Sequence, residues 1–443
     1  MDCLVNYLRA YRYLRSLLRR VYWPEERLRR YRNERLREVL AYAYENVPFY
    51  HRKFREAGVK PSDVKSVEDL KRLPILRKDE VRRNLDQMVS RRFEVSRLKM
   101  LRTSGSTGEP LYFYISGVED EYRKARHLRA NIVCGQRLRD RWVLITHPLY
   151  FSQATRLQRF FGFYAPIPVS VFDDVDEQIS KIERLKPDVL DGYASSLLLL
   201  ARRVEEREVK TIRPRFLISG ADLIDPRSRR YVEEVFGVPF YDQYGCAEFE
   251  RLAWQCEERR GYHIDADSVV MEFVDENGEW VAPGETGEIV CTSLFNHAMP
   301  FIRYALEDLG TPSEERDCPC GRTFPLMKVV EGRVNDVVVL PDGRVMSSVT
   351  FITGMYQLSF FKNIERFRVV QRRVDSFKFM VKLSDSGLDL EAAEKELETC
   401  FKTLLNVDEV DFELEFVDDI PLDKSGKFRV VVSEVAQRYL RGM

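Results

Sequence analysis

The sequence predicts an α/β chain in two parts: a large N-terminal domain with parallel-sheet βαβ units plus a β-barrel-like portion, and a small α+β C-terminal domain. Three observations predict it. From about residue 140 to 245, short apolar strands (RWVLIT, DVLDGY, RFLISG, VPFYDQYG) alternate with helical segments (DEQISKIERL, SSLLLLARRVEERE, RSRRYVEEVF). Such alternation implies parallel strands, because a parallel pair needs a long crossover that a helix supplies. Near residue 269 the pattern changes to alternating strands joined by Gly-bearing turns, VVMEFVDENGEWV and GETGEIVCTSL, the signature of antiparallel hairpins. The last hundred or so residues read strand, strand, helix, strand (FRVVQRR, SFKFMVKL, LEAAEKELETCFKTLL, FELEFV), with the segment EGRVND as the natural boundary before them.

Residues 1 to about 100 read as helices separated by Pro-bearing turns, as in RLREVLAYAYENV and SVEDLKRLP. The first segment, MDCLVNYLRAYRYLRSLLRRVYW, places Leu, Tyr and Val at helical spacing among arginines. It fits an amphipathic helix docked on its own domain, or a helix lying on a membrane surface. It lacks the continuous apolar run and small-residue cleavage site of a secretory signal. No stretch of 18 apolar residues is present, so no transmembrane helix is expected. The 71 basic and 71 acidic residues cancel, which removes any global electrostatic case for nucleic acid. Eight cysteines without an export signal imply a reducing, cytoplasmic setting rather than a disulfide framework.

The segment Thr103-Ser104-Gly105-Ser106-Thr107-Gly108-Glu109-Pro110 lies between the runs LKMLR and LYFYIS. Its two glycines permit a tight turn with converging N–H groups, and four hydroxyls add uncharged donors, a chemistry suited to phosphate. It is not a Walker A loop, because no Gly-Lys-Ser/Thr ending is present and a strand follows. On composition alone such a Ser/Gly/Thr octamer is most often a surface loop. Further along the chain come Phe216-Leu-Ile-Ser-Gly220-Ala221-Asp222, Tyr241-Asp-Gln-Tyr244-Gly245-Cys-Ala247-Glu248, Pro300-Phe-Ile-Arg-Tyr-Ala-Leu-Glu307-Asp308, Gly332-Arg333-Val-Asn335-Asp336 and Leu422-Asp-Lys-Ser-Gly-Lys427-Phe-Arg429.

This ordered set resembles the adenylate-forming, acyl-CoA synthetase-like superfamily, in its phenylacetate–CoA ligase and CapK-like branch, and the resemblance spans roughly residues 30 to 430. It implies that residues 103–108 hold the ATP β- and γ-phosphates. It implies further that Gly220, Ala221 and Asp222 set backbone against adenine, that Tyr244 and Gly245 flank the base, and that Glu248 binds Mg²⁺, for which a single carboxylate beside phosphates is the right hard ligand. Asp308 then accepts the ribose hydroxyls, Arg333 contacts ribose or phosphate, and Lys427 reaches the reacting carboxylate and α-phosphate. Two positions depart from the pattern: Ala247 stands where Thr or Ser is usual, and Glu307 where glycine is usual.

Cys256 and His263, with Cys318 and Cys320, offer three thiols and an imidazole, a common tetrahedral zinc set. Spacing alone leaves open unrelated thiols and a lone histidine. Members of the branch carry the same C…H…CxCGR pattern, which implies Zn²⁺, and four protein ligands imply a structural role.

The resemblance implies an N-terminal adenylation domain over 1–334, binding ATP and acid, and a small mobile domain over 335–443. It implies ATP-dependent activation of a small-molecule carboxylic acid through an acyl-adenylate, followed by thioester formation with CoA. Transfer to another acceptor without CoA, as in deazaflavin-adenylating or capsular-polysaccharide relatives, is the second expectation, and a non-catalytic nucleotide-binding relative the third. The segments His147-Pro-Leu-Tyr150 and Phe160-Phe-Gly-Phe-Tyr164 fit either an acid pocket or buried core. The acid itself and the oligomeric state are not legible.

Overall fold

The computed structural model describes residues 2–103, 111–148, 154–220, 222–224, 226–333, 337–342, 345–347, 355, 358–384, 389–405, 410–422 and 428–436. Eleven α-helices are described: α1 Asp2–Arg20, α2 Glu25–Asn46, α3 Pro48–Glu56, α4 Lys78–Arg83, α5 Leu85–Met88, α6 Gly117–Val133, α7 Arg156–Phe161, α8 Val175–Leu185, α9 Ala194–Glu206, α10 Pro226–Phe236 and α11 Leu390–Leu405. None is long and apolar enough to cross a membrane. The helix expected at the N-terminus docks on its own domain: Leu14 and Leu17 pack with Tyr122 and Ala125 of α6.

The chain divides into two compact units. The first comprises Met1–Asp222, Arg229–Leu306 and Gly310–Val329; the second comprises Leu223–Ser228, Glu307–Leu309 and Val330–Met443. A short antiparallel hairpin, β1 (Lys99–Arg102) and β2 (Tyr112–Ile115), brackets the Gly-rich segment. Strands β3 (Trp142–Thr146), β4 (Pro166–Ser170), β5 (Val189–Gly192), β6 (Phe216–Gly220) and β7 (Phe240–Cys246) pair in parallel, in the order β4-β3-β5-β6-β7. Their residues are buried on both faces, as at Val189, Leu190, Leu217 and Ile218, which fits a sheet covered by crossover helices.

Beyond β7 the sheet continues through β8 (Glu250–Trp254), β9 (Tyr262–Ile264), β13 (Leu326–Arg333), β12 (Tyr304–Pro312), β11 (Gly287–Ser293) and β10 (Val269–Val274), with β7–β8, β8–β9, β9–β13 and β11–β10 paired antiparallel. The antiparallel strands, expected as a barrel-like portion, therefore continue the parallel ones in a single eleven-stranded mixed sheet. In the second unit β14 (Val337–Val339) pairs with β15 (Val345–Ser347). The strands β16 (Ile364–Arg373), β17 (Ser376–Leu383), β18 (Asp411–Phe416) and β19 (Val431–Ser433) form a sheet in the order β18-β17-β16-β19. Its core is built by Phe367, Phe377, Phe379 and Val381 against Leu397 and Phe401 of α11.

Candidate active site

The turn after β7 is shaped by its glycine. A Cβ on Gly245 would stand 1.9 Å from the Glu250 carbonyl oxygen, so no side chain fits there. Glu250 itself takes a positive φ of 66°, and the ladder between β7 and β8 shifts register at Tyr244 and Gly245. This sharp return sets Glu248 in a buried position, 3% exposed. The Tyr304 hydroxyl donates to Glu248 Oε1 at 2.7 Å, and among the described residues no donor reaches Oε2. A hard, ionisable oxygen held in one orientation with its partner oxygen available fits Mg²⁺.

Arg123 of α6 fixes the same turn from the other side. Its Nη1 donates to the Glu248 carbonyl at 2.7 Å and its Nη2 to the Ala247 carbonyl at 2.6 Å, with Glu250 Oε2 at 3.3 Å. Sequence reasoning missed Arg123 and gave Tyr304 no role. Arg123, Arg126 and Arg129 recur every third residue on α6, and all three are buried.

The remaining expected residues fall as follows. Thr103 closes the hairpin base: its N–H donates to the Leu111 carbonyl and its hydroxyl oxygen accepts from the Leu111 N–H, both at 2.9 Å. Ser104, Gly105, Ser106, Thr107 and Gly108 lie outside the described residues, as do Ala221, Asn335 and Lys427. Gly220 ends β6, where a Cβ would meet the Gln243 carbonyl at 3.1 Å and Arg251 Nη1 at 3.2 Å. The Asp222 carboxylate accepts from the backbone N–H groups of Ala194 (2.6 Å) and Ser195 (3.0 Å) and from the Ser195 hydroxyl (2.5 Å). It thus satisfies the first turn of α9, which Tyr193 at the N-cap leaves uncapped. Tyr244 lies in β7 opposite Ala253. Asp308 is buried within β12, and Arg333 ends β13. The neighbouring Glu307 takes the left-handed backbone that a glycine would occupy freely, at φ 63°.

Cys256, His263, Cys318 and Cys320 converge, with one ligand atom from each within 4.8 Å of all the others. Cys256 Sγ and Cys318 Sγ are 3.6 Å apart, and Cys320 Sγ lies 3.4 Å from His263 Nε2. Bonds of about 2.3 Å from a tetrahedral Zn²⁺ would put two sulfurs about 3.8 Å apart, so the donors fit that ion. His263 Nδ1 donates to the Phe324 carbonyl at 3.2 Å, which leaves the Nε2 lone pair facing the thiols. Burial pushes the His263 pKa down to about 4, which keeps the imidazole neutral. Trp254 stacks on this ring at 4.9 Å, and Thr323 ties the 318–323 turn to the carbonyls of Val21 and Trp23 between α1 and α2.

With this geometry in view, known proteins place the chain. Residues 338–434 match the CapK C-terminal domain. The chain is 31% identical over 331 residues to the phenylacetate-coenzyme A ligase of Thermus thermophilus, spanning 72% of this chain and 73% of the relative. It is 30% identical over 393 residues to that of Escherichia coli, spanning 82% and 84%. Among solved structures, 2-hydroxyisobutyryl-CoA ligase in the postadenylation state shares the fold with a TM-score of 0.80 at 23% identity, over 96% of this chain and 94% of that one. The chain belongs to the phenylacetate–coenzyme A ligase family of adenylate-forming enzymes.

Proposed function

We propose that the chain converts a carboxylic acid to its acyl-adenylate with ATP and then passes the acyl group to coenzyme A. The observation that carries this reading is Glu248, a buried carboxylate fixed at one oxygen by Tyr304 on a turn whose carbonyls Arg123 holds.

In the first step a carboxylate oxygen of the acid attacks the α-phosphorus, the bond to the bridging oxygen breaks, and pyrophosphate leaves. Two anions must approach, so the protein has to supply donors and positive charge where negative charge builds up. We assign this to the hydroxyls and N–H groups of residues 103–108 and to the ammonium of Lys427. Mg²⁺ held by Glu248 would supply counter-charge to the phosphates. Tyr244 and the backbone at 220–222 take the adenine, Asp308 the ribose hydroxyls, and Arg333 ribose or phosphate. In the second step the sulfur of CoA attacks the acyl carbonyl carbon and AMP leaves. The Cys256, His263, Cys318 and Cys320 set would hold a structural Zn²⁺, since all four positions come from protein and none is left for substrate. The free thiols of the described cysteines suit a cytoplasmic setting.

Acid-dependent ATP–pyrophosphate exchange across a panel of carboxylic acids tests the first step, and CoA-dependent AMP release tests the second. Lys427→Ala should cut exchange by about 100- to 1000-fold. Absence of exchange with every acid, in folded protein supplied with Mg²⁺, would overturn the reading. The match of residues 338–434 to the CapK C-terminal domain motivates a second reading, transfer to an acceptor other than CoA. A stable adenylylated product formed without CoA would favour it.

A further inference from the structure

Strand β16 sends alternate side chains to opposite faces of its sheet. Phe367 and Val369 enter the core against α11. Arg366 and Arg368 therefore stand on the other face, where they grip the chain on both sides of residues 423–427. Arg368 Nη2 donates to the Pro421 carbonyl at 2.9 Å, and its Nε donates to the Arg429 carbonyl at 3.0 Å. Arg366 Nη1 donates to the Ile420 carbonyl at 3.2 Å. Both guanidiniums lie over the Phe428 ring, 5.6 and 5.2 Å from its centroid.

The backbone secures the same two ends. Ile420 is fully buried, and the Val369 N–H donates to the Val430 carbonyl at 2.7 Å, where β19 joins β16. One planar guanidinium thus bridges the carbonyls of residues 421 and 429, a task that needs donors set in a fixed fork. Between those carbonyls the chain carries Lys427, which lies outside the described residues and is joined to Phe428 by one peptide bond. Neither arginine has a part in the two reaction steps. Their contacts all serve the stretch of chain that bears the ammonium.

We infer that Arg368, supported by Arg366, is a positioning residue for Lys427. By tying residues 421 and 429 together it restricts the positions the ammonium can take while the acid attacks the α-phosphorus. Catalysis by a fixed charge depends on placement, and an error of about 1 Å can cost about 100-fold in rate. The inference rests on the role given to Lys427 in the acid-activation reading above.

Comparing the two steps tests it. Arg368→Met removes the donors and keeps an unbranched side chain beside Phe428. It should lower kcat of acid-dependent pyrophosphate exchange by about 10- to 100-fold, with KM for ATP and acid held within about twofold. Thioester formation from CoA and the synthetic adenylate of the best acid should keep its rate, since Lys427 acts in the first step. In a Lys427→Ala background the same change should cost less than about twofold, because the residue it acts through is gone. Arg368→Lys, which reaches one carbonyl, should recover part of the loss and guards against a variant that fails to fold. Equal losses in both steps, or additive losses in the double variant, would reduce the bridge to a support of the small domain and overturn the inference. Full exchange in Arg368→Met would overturn it too, and in each case adenylation stands. Unchanged exchange in Lys427→Ala would instead sink the reading beneath it.

Discussion

The Tyr304 hydroxyl and the Glu248 carboxylate, 56 residues apart, meet at 2.7 Å, both side chains buried. A hydrogen bond to a charged group contributes about 1.5–3 kcal/mol. Tyr304→Phe keeps the ring and its packing on Phe301 and Phe249 but leaves Glu248 unanchored. Exchange should fall by about tenfold to hundredfold, with a raised Mg²⁺ requirement. Glu248→Gln should fall further. An unchanged Mg²⁺ dependence in both variants would remove Glu248 from the metal.

Arg123 supports the same turn through two carbonyls and Glu250, at 5% exposure. Arg123→Met strands two carbonyl acceptors and removes one of the two hydrogen-bonding partners of Glu250, the other being His127, and breaking such a partly buried set should cost about 3–5 kcal/mol of stability. Denaturant midpoints should shift with exchange activity. A variant of full stability with normal exchange would show the turn to hold itself.

What the sequence disclosed follows from the range of the forces involved. The βαβ strands were legible because their burial on both faces leaves apolar runs, and Gly245 because only a missing Cβ clears the Glu250 carbonyl. The thiol–imidazole set was legible because metal ligands are scarce residue types at short spacing. Arg123 was not, since its partners lie 124, 125 and 127 residues away and nothing local marks a buried guanidinium. Asp222 was read through its backbone, whereas its carboxylate is committed to the start of α9, a role set by tertiary placement. The antiparallel strands showed their pairing style but not that they extend the parallel sheet.

Zinc binding makes a compositional prediction. Purified protein should carry one zinc per chain, and Cys318→Ser or Cys320→Ser should lose it. With the ring of His263 beneath Trp254, metal loss should alter tryptophan fluorescence and lower Tm by at least about 5 °C. Below that transition the kinetic constants should stay near those of the parent. Metal-free protein with an unaltered melt would dismiss the site.

Acid sensitivity should arise at Arg129 and Asp267, which share hydrogen bonds of 2.9 and 3.0 Å with neither side chain exposed. Burial alone would push the Asp267 pKa up; the Arg129 charge and its hydrogen bonds outweigh it and hold the carboxyl below the ordinary 3.8. A depressed folded pKa contributes stability that is present above the unfolded value and lost as pH falls through the folded one. Unfolding free energy should therefore drop below about pH 4. Asp267→Asn should lose about 3–5 kcal/mol at neutral pH and show a flatter acid limb. Equal acid slopes in both proteins would refute the assignment.

Glu307 offers a test of backbone strain separated from side-chain contacts. Its φ of 63° lies in the left-handed region, which costs a residue with a Cβ about 1–2 kcal/mol. Comparing Glu307→Ala with Glu307→Gly removes the carboxylate from both, so the difference reports the Cβ alone. Glycine gains freedom in the unfolded chain, which offsets part of the relief by about 0.4–1 kcal/mol. The glycine variant should still be the more stable of the two, by about 0.5–1 kcal/mol in denaturant unfolding. If alanine proved equal or better, the strand would tolerate the positive φ without strain, and the departure from glycine at this position would carry no energetic cost.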